Sequence, residues 1–170
     1  MGSGTTSSYS CTSGGSQTYA ATYSVVKSEM SKDKKDHDIY NPSTGYFKNP
    51  LAKTIDDAIT NGKLCMDGKT AHGKMTYVMD ENGNIIFGKR FNPNDGRKRA
   101  PHPTLIGGKN PKVQCAGMIE FSKGKIISVN NDSGHYRPDK KSLDKVDAAL
   151  SKLAKEHPEI FSTKSKWRQQ

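Results

Sequence analysis

The stretch GKMTYVMDENGNIIFGKR, residues 73–90, decides the fold. Its apolar side chains alternate at Met75, Tyr77 and Met79, which is the period of a strand with one buried face. Asn82-Gly83 follows, and an Asn-Gly pair between two apolar runs is the strongest short-range signal of a β-hairpin. The stretch therefore predicts two antiparallel strands joined by a tight turn.

The rest of the chain predicts a second hairpin and three helices. The run VQCAGMIEFSKGKIISV, residues 113–129, has strand character on both sides of a turn at Lys123-Gly124. Helical spacing of apolar residues predicts a first helix from a Ser16 cap through Tyr19, Tyr23, Val26 and Met30. A second helix is predicted from Leu51 to Gly62, after Asn49-Pro50. A last helix is predicted with Leu143, Val146, Leu150 and Leu153 on one face. This order predicts an α+β fold, in which an antiparallel sheet of about four strands is packed by N-terminal helices and one C-terminal helix.

The chain of 170 residues has the length of one domain. Residues 1–15 are nearly all Gly, Ser and Thr, a composition that predicts a flexible tether. We expect a single domain at 16–160 and a basic tail at 161–170.

Charge and composition limit the possible functions. The net charge of +10 predicts a surface that attracts polyanions such as nucleic acid or an acidic protein. An odd number of cysteines without zinc-ligand spacing favours neither a disulfide framework nor a zinc site. The sequence has no phosphate-binding loop, no dinucleotide fingerprint and no apolar run long enough to span a membrane. We therefore expect a monomer without cofactor or metal.

Two segments carry residue types suited to chemistry. In HPTLIGG, residues 102–108, His102 lies between two prolines, with Thr104 close behind, so that an imidazole and a hydroxyl are held in place beside basic residues. In SGHYRP, residues 133–138, a hydroxyl, an imidazole, a phenol and a guanidinium follow one another between a strand and a helix. Such a group suits proton transfer next to a bound phosphate.

Two histidines can act as the general base and general acid of RNA cleavage, in which a 2′-hydroxyl attacks the neighbouring phosphate. Glu120 could replace one of them as the base. The candidate catalytic residues are therefore His102, Thr104, Glu120, Ser133, His135, Tyr136 and Arg137, and the candidate substrate-binding residues are Lys89, Arg90, Arg97 and Arg99.

These segments, with the two hairpins, resemble the C-terminal toxin domains of bacterial polymorphic toxins, whether contact-dependent or secreted by the type VII system. The series formed by a histidine, an Ala-Gly pair and the SGHYRP segment is also similar, more weakly, to plant IQ-motif proteins. The toxin resemblance covers about residues 16–155 and implies a barnase-like fold. It also implies secretion as part of a larger toxin, action in the cytoplasm of the target cell, and an acidic immunity protein as partner.

Three functions are compatible with the sequence. The first is a metal-independent ribonuclease toxin with RNA as its substrate. The second is an ADP-ribosyltransferase or NAD glycohydrolase toxin, in which Glu120, Tyr136 and Arg137 would surround the nicotinamide. The third is a non-enzymatic module that binds an acidic protein through its basic surface.

Overall fold

The computed structural model describes residues 23–37, 39–92 and 95–162, with the backbone alone at 91–92 and 95–99. The predicted tether at 1–15, the predicted Ser16 cap and most of the predicted basic tail at 161–170 lie outside these ranges.

Within the described ranges, the helices are α1 (Lys27–Lys34), α2 (Ile55–Ala58) and α3 (Leu143–Glu156). The strands are β1 (Tyr40–Asn41), β2 (Gly45–Tyr46), β3 (Lys53–Thr54), β4 (Ile59–Thr60), β5 (Lys63–Met66), β6 (Lys69–Thr70), β7 (Gly73–Met79), β8 (Ile85–Gly88), β9 (Phe91–Asn92), β10 (Asp95–Arg99), β11 (Cys115–Ser122) and β12 (Lys125–Val129). Short 3-10 turns cover His102–Leu105, Lys140–Ser142 and Pro158–Ile160.

Both predicted hairpins are confirmed, and they join in one antiparallel sheet of five strands in the order β12-β11-β7-β8-β3. In the first turn, the Asp80 carboxylate accepts hydrogen bonds from the backbone N–H groups of Asn82 and Asn84. In the second turn, Lys123 and Gly124 both have a positive φ, as a two-residue type I′ turn requires. The predicted α+β class is therefore confirmed, and the two-residue β3 adds a fifth strand at the sheet edge.

The C-terminal helix is confirmed, whereas the two N-terminal helices differ from the prediction. Tyr23 is extended and pairs with Val113, so the first helix begins only at Lys27. The second helix is a single turn, capped by Thr54, whose side chain accepts the Asp57 N–H. Asn49 does not cap this helix, because its side chain is hydrogen-bonded to the carbonyl of Lys89 and the N–H of Leu51.

The sheet separates a hydrophobic core from a partly polar face. On one face, Met75, Tyr77 and Met79 of β7 belong to the core cluster that also contains the buried side of α3. The alternate residues of β7, among them Lys74 and Thr76, point to the other face, because successive side chains of a strand point in opposite directions. The predicted catalytic segments cover this second face.

Gly117 in β11 lets the chain after β12 cross close above the sheet. A Cβ built on Gly117 would lie 1.9 Å from the Asn130 carbonyl oxygen. The crossing is held by hydrogen bonds, since the Tyr77 hydroxyl donates to the Asn130 carbonyl and the Met118 N–H donates to the Asn130 side chain. Gly117 is paired with Tyr77, so this contact lies on the core side of β11, and the chain then continues to residues 132–135, which line the cleft on the second face.

Candidate active site

A cleft of about 800 Å³ opens on the face of the sheet opposite α3. Its floor contains Lys74 and Thr76 of β7 and Met118 of β11. Met118 and Thr76 are direct cross-strand neighbours, so the floor is a continuous part of the central strand pair. A rigid floor of this kind suits a binding site, because it fixes the walls relative to each other.

The walls of the cleft come from three separate parts of the chain. The 3-10 turn contributes Pro101 and His102, and residues 132–135 form the opposite wall. Glu29 of α1 and Arg90, just after β8, complete the lining. The two segments that the sequence selected therefore meet at one cleft.

His135 forms a buried pair with Asp33 of α1. The distance from its Nε2 to the Asp33 carboxylate oxygen is 3.0 Å, and Asp33 is 0% exposed. The other ring nitrogen, Nδ1, lies 3.8 Å from a carboxylate oxygen of Glu29, too far for a hydrogen bond. Asp33 therefore orients the ring, while Nδ1 remains on the side where Glu29 lines the cleft.

His102 is buried between a backbone carbonyl and a hydroxyl. Its Nε2 lies 2.7 Å from the Gly117 carbonyl oxygen, and its Nδ1 lies 3.2 Å from the Ser133 Oγ. Burial lowers the pKa of His102 to about 4, and the charges of His135 and Arg90 act in the same direction. His102 is therefore neutral near pH 7, so it does not suit the role of the protonated general acid in the predicted histidine pair.

The charges that line the cleft include both signs. Lys74 and Arg90 bring positive charge, while Glu29 and Asp132 bring carboxylates. A hydrogen bond from Lys32 is the main cause that lowers the pKa of Glu29. Glu29 is therefore ionised at neutral pH and can accept a proton from a bound substrate.

The structure brings together only part of the predicted site. His102, Ser133, His135 and Arg90 line the cleft. Thr104 does not, because it is buried and its hydroxyl donates to the Pro101 carbonyl.

Tyr136, Arg137 and Glu120 also lie outside the cleft lining. Tyr136 is a core residue whose hydroxyl donates to the Pro111 carbonyl, and burial raises its pKa. Arg137 is exposed, yet its charge helps to lower the pKa of Glu29. Glu120 accepts a long hydrogen bond from Ser128.

The predicted substrate-binding residues divide in the same way. Arg90 lines the cleft, and Lys89 is exposed next to it. The side chains of Arg97 and Arg99 lie outside the described part of the chain.

Sequence reasoning missed Glu29 and Asp33. They lie four residues apart on α1, in a segment that reads as a solvated, charged helix end. Asp33 meets His135 across 102 positions of sequence, and no local pattern reports a contact of that separation. The i, i+4 spacing was the one available signal, because it places both carboxylates on one helical face.

The buried His102 predicts that the fold loses stability as the pH falls. Its pKa is lower in the folded chain than the ordinary value of 6.5, so the unfolded chain binds more protons between pH 6.5 and 4. The stability that this residue contributes is present above pH 6.5 and is lost on acidification toward pH 4, by roughly 3 kcal/mol in total at about 1.4 kcal/mol per pKa unit. Urea unfolding at pH 7 and pH 4.5 measures the loss.

A variant separates the contribution of His102 from that of the carboxylates. His102→Gln removes this titration and leaves Glu29 in place, so its unfolding free energy should change less between pH 7 and pH 4.5. An equally steep loss in both chains would show that His102 does not carry the effect.

The fold and the cleft define a small, basic α+β domain with a histidine–carboxylate site on one face of its sheet. Comparisons with protein-family models, with curated proteins and with solved structures find no match to this chain.

None of the helices in the described ranges is long and apolar enough to cross a membrane. Among the described residues, no three His, Cys, Asp or Glu side chains are grouped as metal ligands would be.

Proposed function

We propose that this domain is a metal-independent ribonuclease and acts as an antibacterial toxin. The observation that supports this most strongly is the Asp33–His135 pair, with its buried carboxylate behind the ring and the second ring nitrogen on the cleft side. A histidine oriented in this way by a carboxylate is a typical proton-transfer group.

The cleft residues supply each part that RNA cleavage requires. The Glu29 carboxylate takes the proton of the ribose 2′-hydroxyl, and the 2′-oxygen forms a bond to phosphorus. The bond from phosphorus to the 5′-oxygen breaks, and protonated His135 gives its Nδ1 proton to that leaving oxygen. Lys74 and Arg90 stabilise the additional negative charge on the phosphate.

This assignment changes the roles expected from the sequence. Glu29 replaces Glu120 as the candidate carboxylate base, because Glu29 lines the cleft. His102 becomes a residue that holds Ser133 in place, since both of its ring nitrogens already have partners. The basic surface of the domain serves the RNA backbone and also suits an acidic immunity protein.

The two positive side chains that line the cleft are tested with a double variant and a control of equal charge change. We expect Lys74→Ala combined with Arg90→Ala to reduce cleavage of single-stranded RNA in EDTA by at least about tenfold, because both side chains line the cleft. Lys140→Ala combined with Lys155→Ala is the control, since it removes the same charge from residues next to and on α3. Equal losses in both pairs would indicate general attraction to RNA and contradict a site in the cleft.

A second candidate function is NAD cleavage. The observation that favours it is that a neutral His102 and an ionised Glu29 line the same cleft, because holding and polarising a ribose requires no proton transfer by histidine. Incubation with NAD separates the two functions: consumption of NAD with intact RNA supports the second. Capture of an acidic protein without change to RNA or NAD would support a binding module instead.

A further inference from the structure

The Ser133 hydroxyl has a fixed hydrogen-bond direction. The Gly117 carbonyl can only accept, so the proton of neutral His102 lies on Nε2, which donates across 2.7 Å. The lone pair of His102 is then on Nδ1, and the Ser133 hydroxyl must donate to it across 3.2 Å. The Tyr136 N–H donates to the same hydroxyl oxygen, which leaves one lone pair of Ser133 without a hydrogen.

This chain of hydrogen bonds has the form of an activated nucleophile. A hydroxyl, a histidine base and a third group that orients the base are within hydrogen-bond reach of one another. The three groups are fixed by their surroundings, since His102 lies in a turn between two prolines and Gly117 lies beneath the Asn130 crossing. The arrangement is thus in place before any ligand binds.

The cleft gives a ligand access to Ser133. Ser133 lines it, and the neighbouring Gly134 is exposed, with no heavy atom within 4 Å of an added Cβ. Lys74 and Arg90 line the same cleft, and their charges match the anionic oxygens of a phosphoryl group. A phosphoryl ester is therefore the class of electrophile that suits this site.

We propose that Ser133 is a nucleophile that accepts a phosphoryl group from an activated phosphoryl ester bound in the cleft, with His102 as its base. In this step the Ser133 oxygen forms a bond to phosphorus, and the bond from phosphorus to the leaving group breaks with its electron pair. The hydroxyl proton moves to His102 Nδ1 and then to the leaving group or to water. The proposal is independent of RNA cleavage by Glu29 and His135.

The test uses an alkyl fluorophosphonate as the probe, whose fluoride leaves when a serine attacks phosphorus. We expect one adduct on the native chain by intact mass, located on Ser133 by peptide mapping and absent in Ser133→Ala. Ser128→Ala, a variant of a half-buried serine outside the cleft, should react like the native chain. No adduct on the native chain, or an adduct on other residues alone, would overturn the proposal.

The role of His102 has its own readout. His102→Gln with an unchanged circular dichroism spectrum should react about 100-fold more slowly, the usual size of general-base catalysis. Burial lowers the pKa of His102 to about 4, and the charges of Arg90 and His135 act on the ring in the same direction. The rate at which the native chain reacts with the probe should therefore stay nearly level from pH 8 to 5 and fall below pH 4. Equal rates in the two chains, or a native rate that halves near pH 6.5, would exclude His102 as the base.

The outcomes remain separable from those of the ribonuclease. A chain that reacts at Ser133 but leaves RNA intact supports this inference and contradicts the proposed function. A chain that cleaves RNA without reacting at Ser133 supports the proposed function and contradicts this inference.

Discussion

Replacement of His135 by glutamine should reduce RNA cleavage by about 100-fold to 10,000-fold, which is the usual contribution of a general acid or base. Glutamine can still donate a hydrogen bond toward Asp33, but it cannot deliver a proton to the leaving 5′-oxygen. The measurement is the initial rate of cleavage of a single-stranded RNA oligonucleotide in EDTA. The unfolding temperature of the variant is recorded beside the rate, because His135 is buried and an unstable variant would also lose activity.

The control for this prediction is His72→Gln. His72 is exposed, and its ring accepts a hydrogen bond from the Lys123 N–H at the turn of the second hairpin, outside the cleft lining. We expect full activity in this variant. Cleavage that is retained in a folded His135→Gln chain, or lost equally in both variants, would rule out His135 as the proton donor.

Asp33→Asn tests the orientation of the ring separately. Asparagine keeps the size of the side chain but removes the charge that holds His135, so the rate should fall while affinity for RNA is nearly retained. A change in KM alone would show that Asp33 affects binding and not proton transfer.

Gly117→Ala should cause the largest loss of stability among single-methyl changes near the site. The added carbon would lie 1.9 Å from the Asn130 oxygen and 2.6 Å from its carbonyl carbon, both backbone atoms that cannot rotate away. Relief requires the strand and the crossing segment to separate, so we expect a loss of about 3 kcal/mol, at the upper end of the usual cost of overpacking. Urea unfolding at pH 7 measures it.

Gly134→Ala is the matched control for the same chemical change. Its added Cβ has no heavy atom within 4 Å, and its φ is not positive, so stability should change by less than about 0.5 kcal/mol. If Gly117→Ala were as stable as the native chain, the close crossing of Asn130 over β11 would be wrong.

The sequence predicted the sheet well because the signals for hairpins are local. Alternation in β7, the Asp80–Asn84 turn and the Lys123-Gly124 turn all act within a few residues, and the amphipathic pattern of α3 acts within one helix. The N-terminal helices were predicted less well. Tyr23 has helical spacing to Val26 and Met30, but its pairing with Val113 favours an extended backbone, and no local pattern contains that partner.

The candidate site shows the same division between local and distant information. His102, Ser133 and His135 were found because their segments combine several reactive residue types in a few positions. Glu29 and Asp33 were missed, since their role depends on a contact with His135 that only the folded chain creates. Tyr136 has the residue type of a catalytic group, yet its position after the 133–135 turn directs it into the core.

Analysis of the RNA ends after cleavage tests the central claim most directly. The native chain is incubated with a single-stranded RNA oligonucleotide and, separately, with its all-deoxy counterpart, both in EDTA. If Glu29 and His135 act on a 2′-hydroxyl, the RNA fragments end in 2′,3′-cyclic phosphate and the DNA stays intact. Intact RNA, cleavage of both strands alike, or fragments without a cyclic phosphate intermediate would contradict the account.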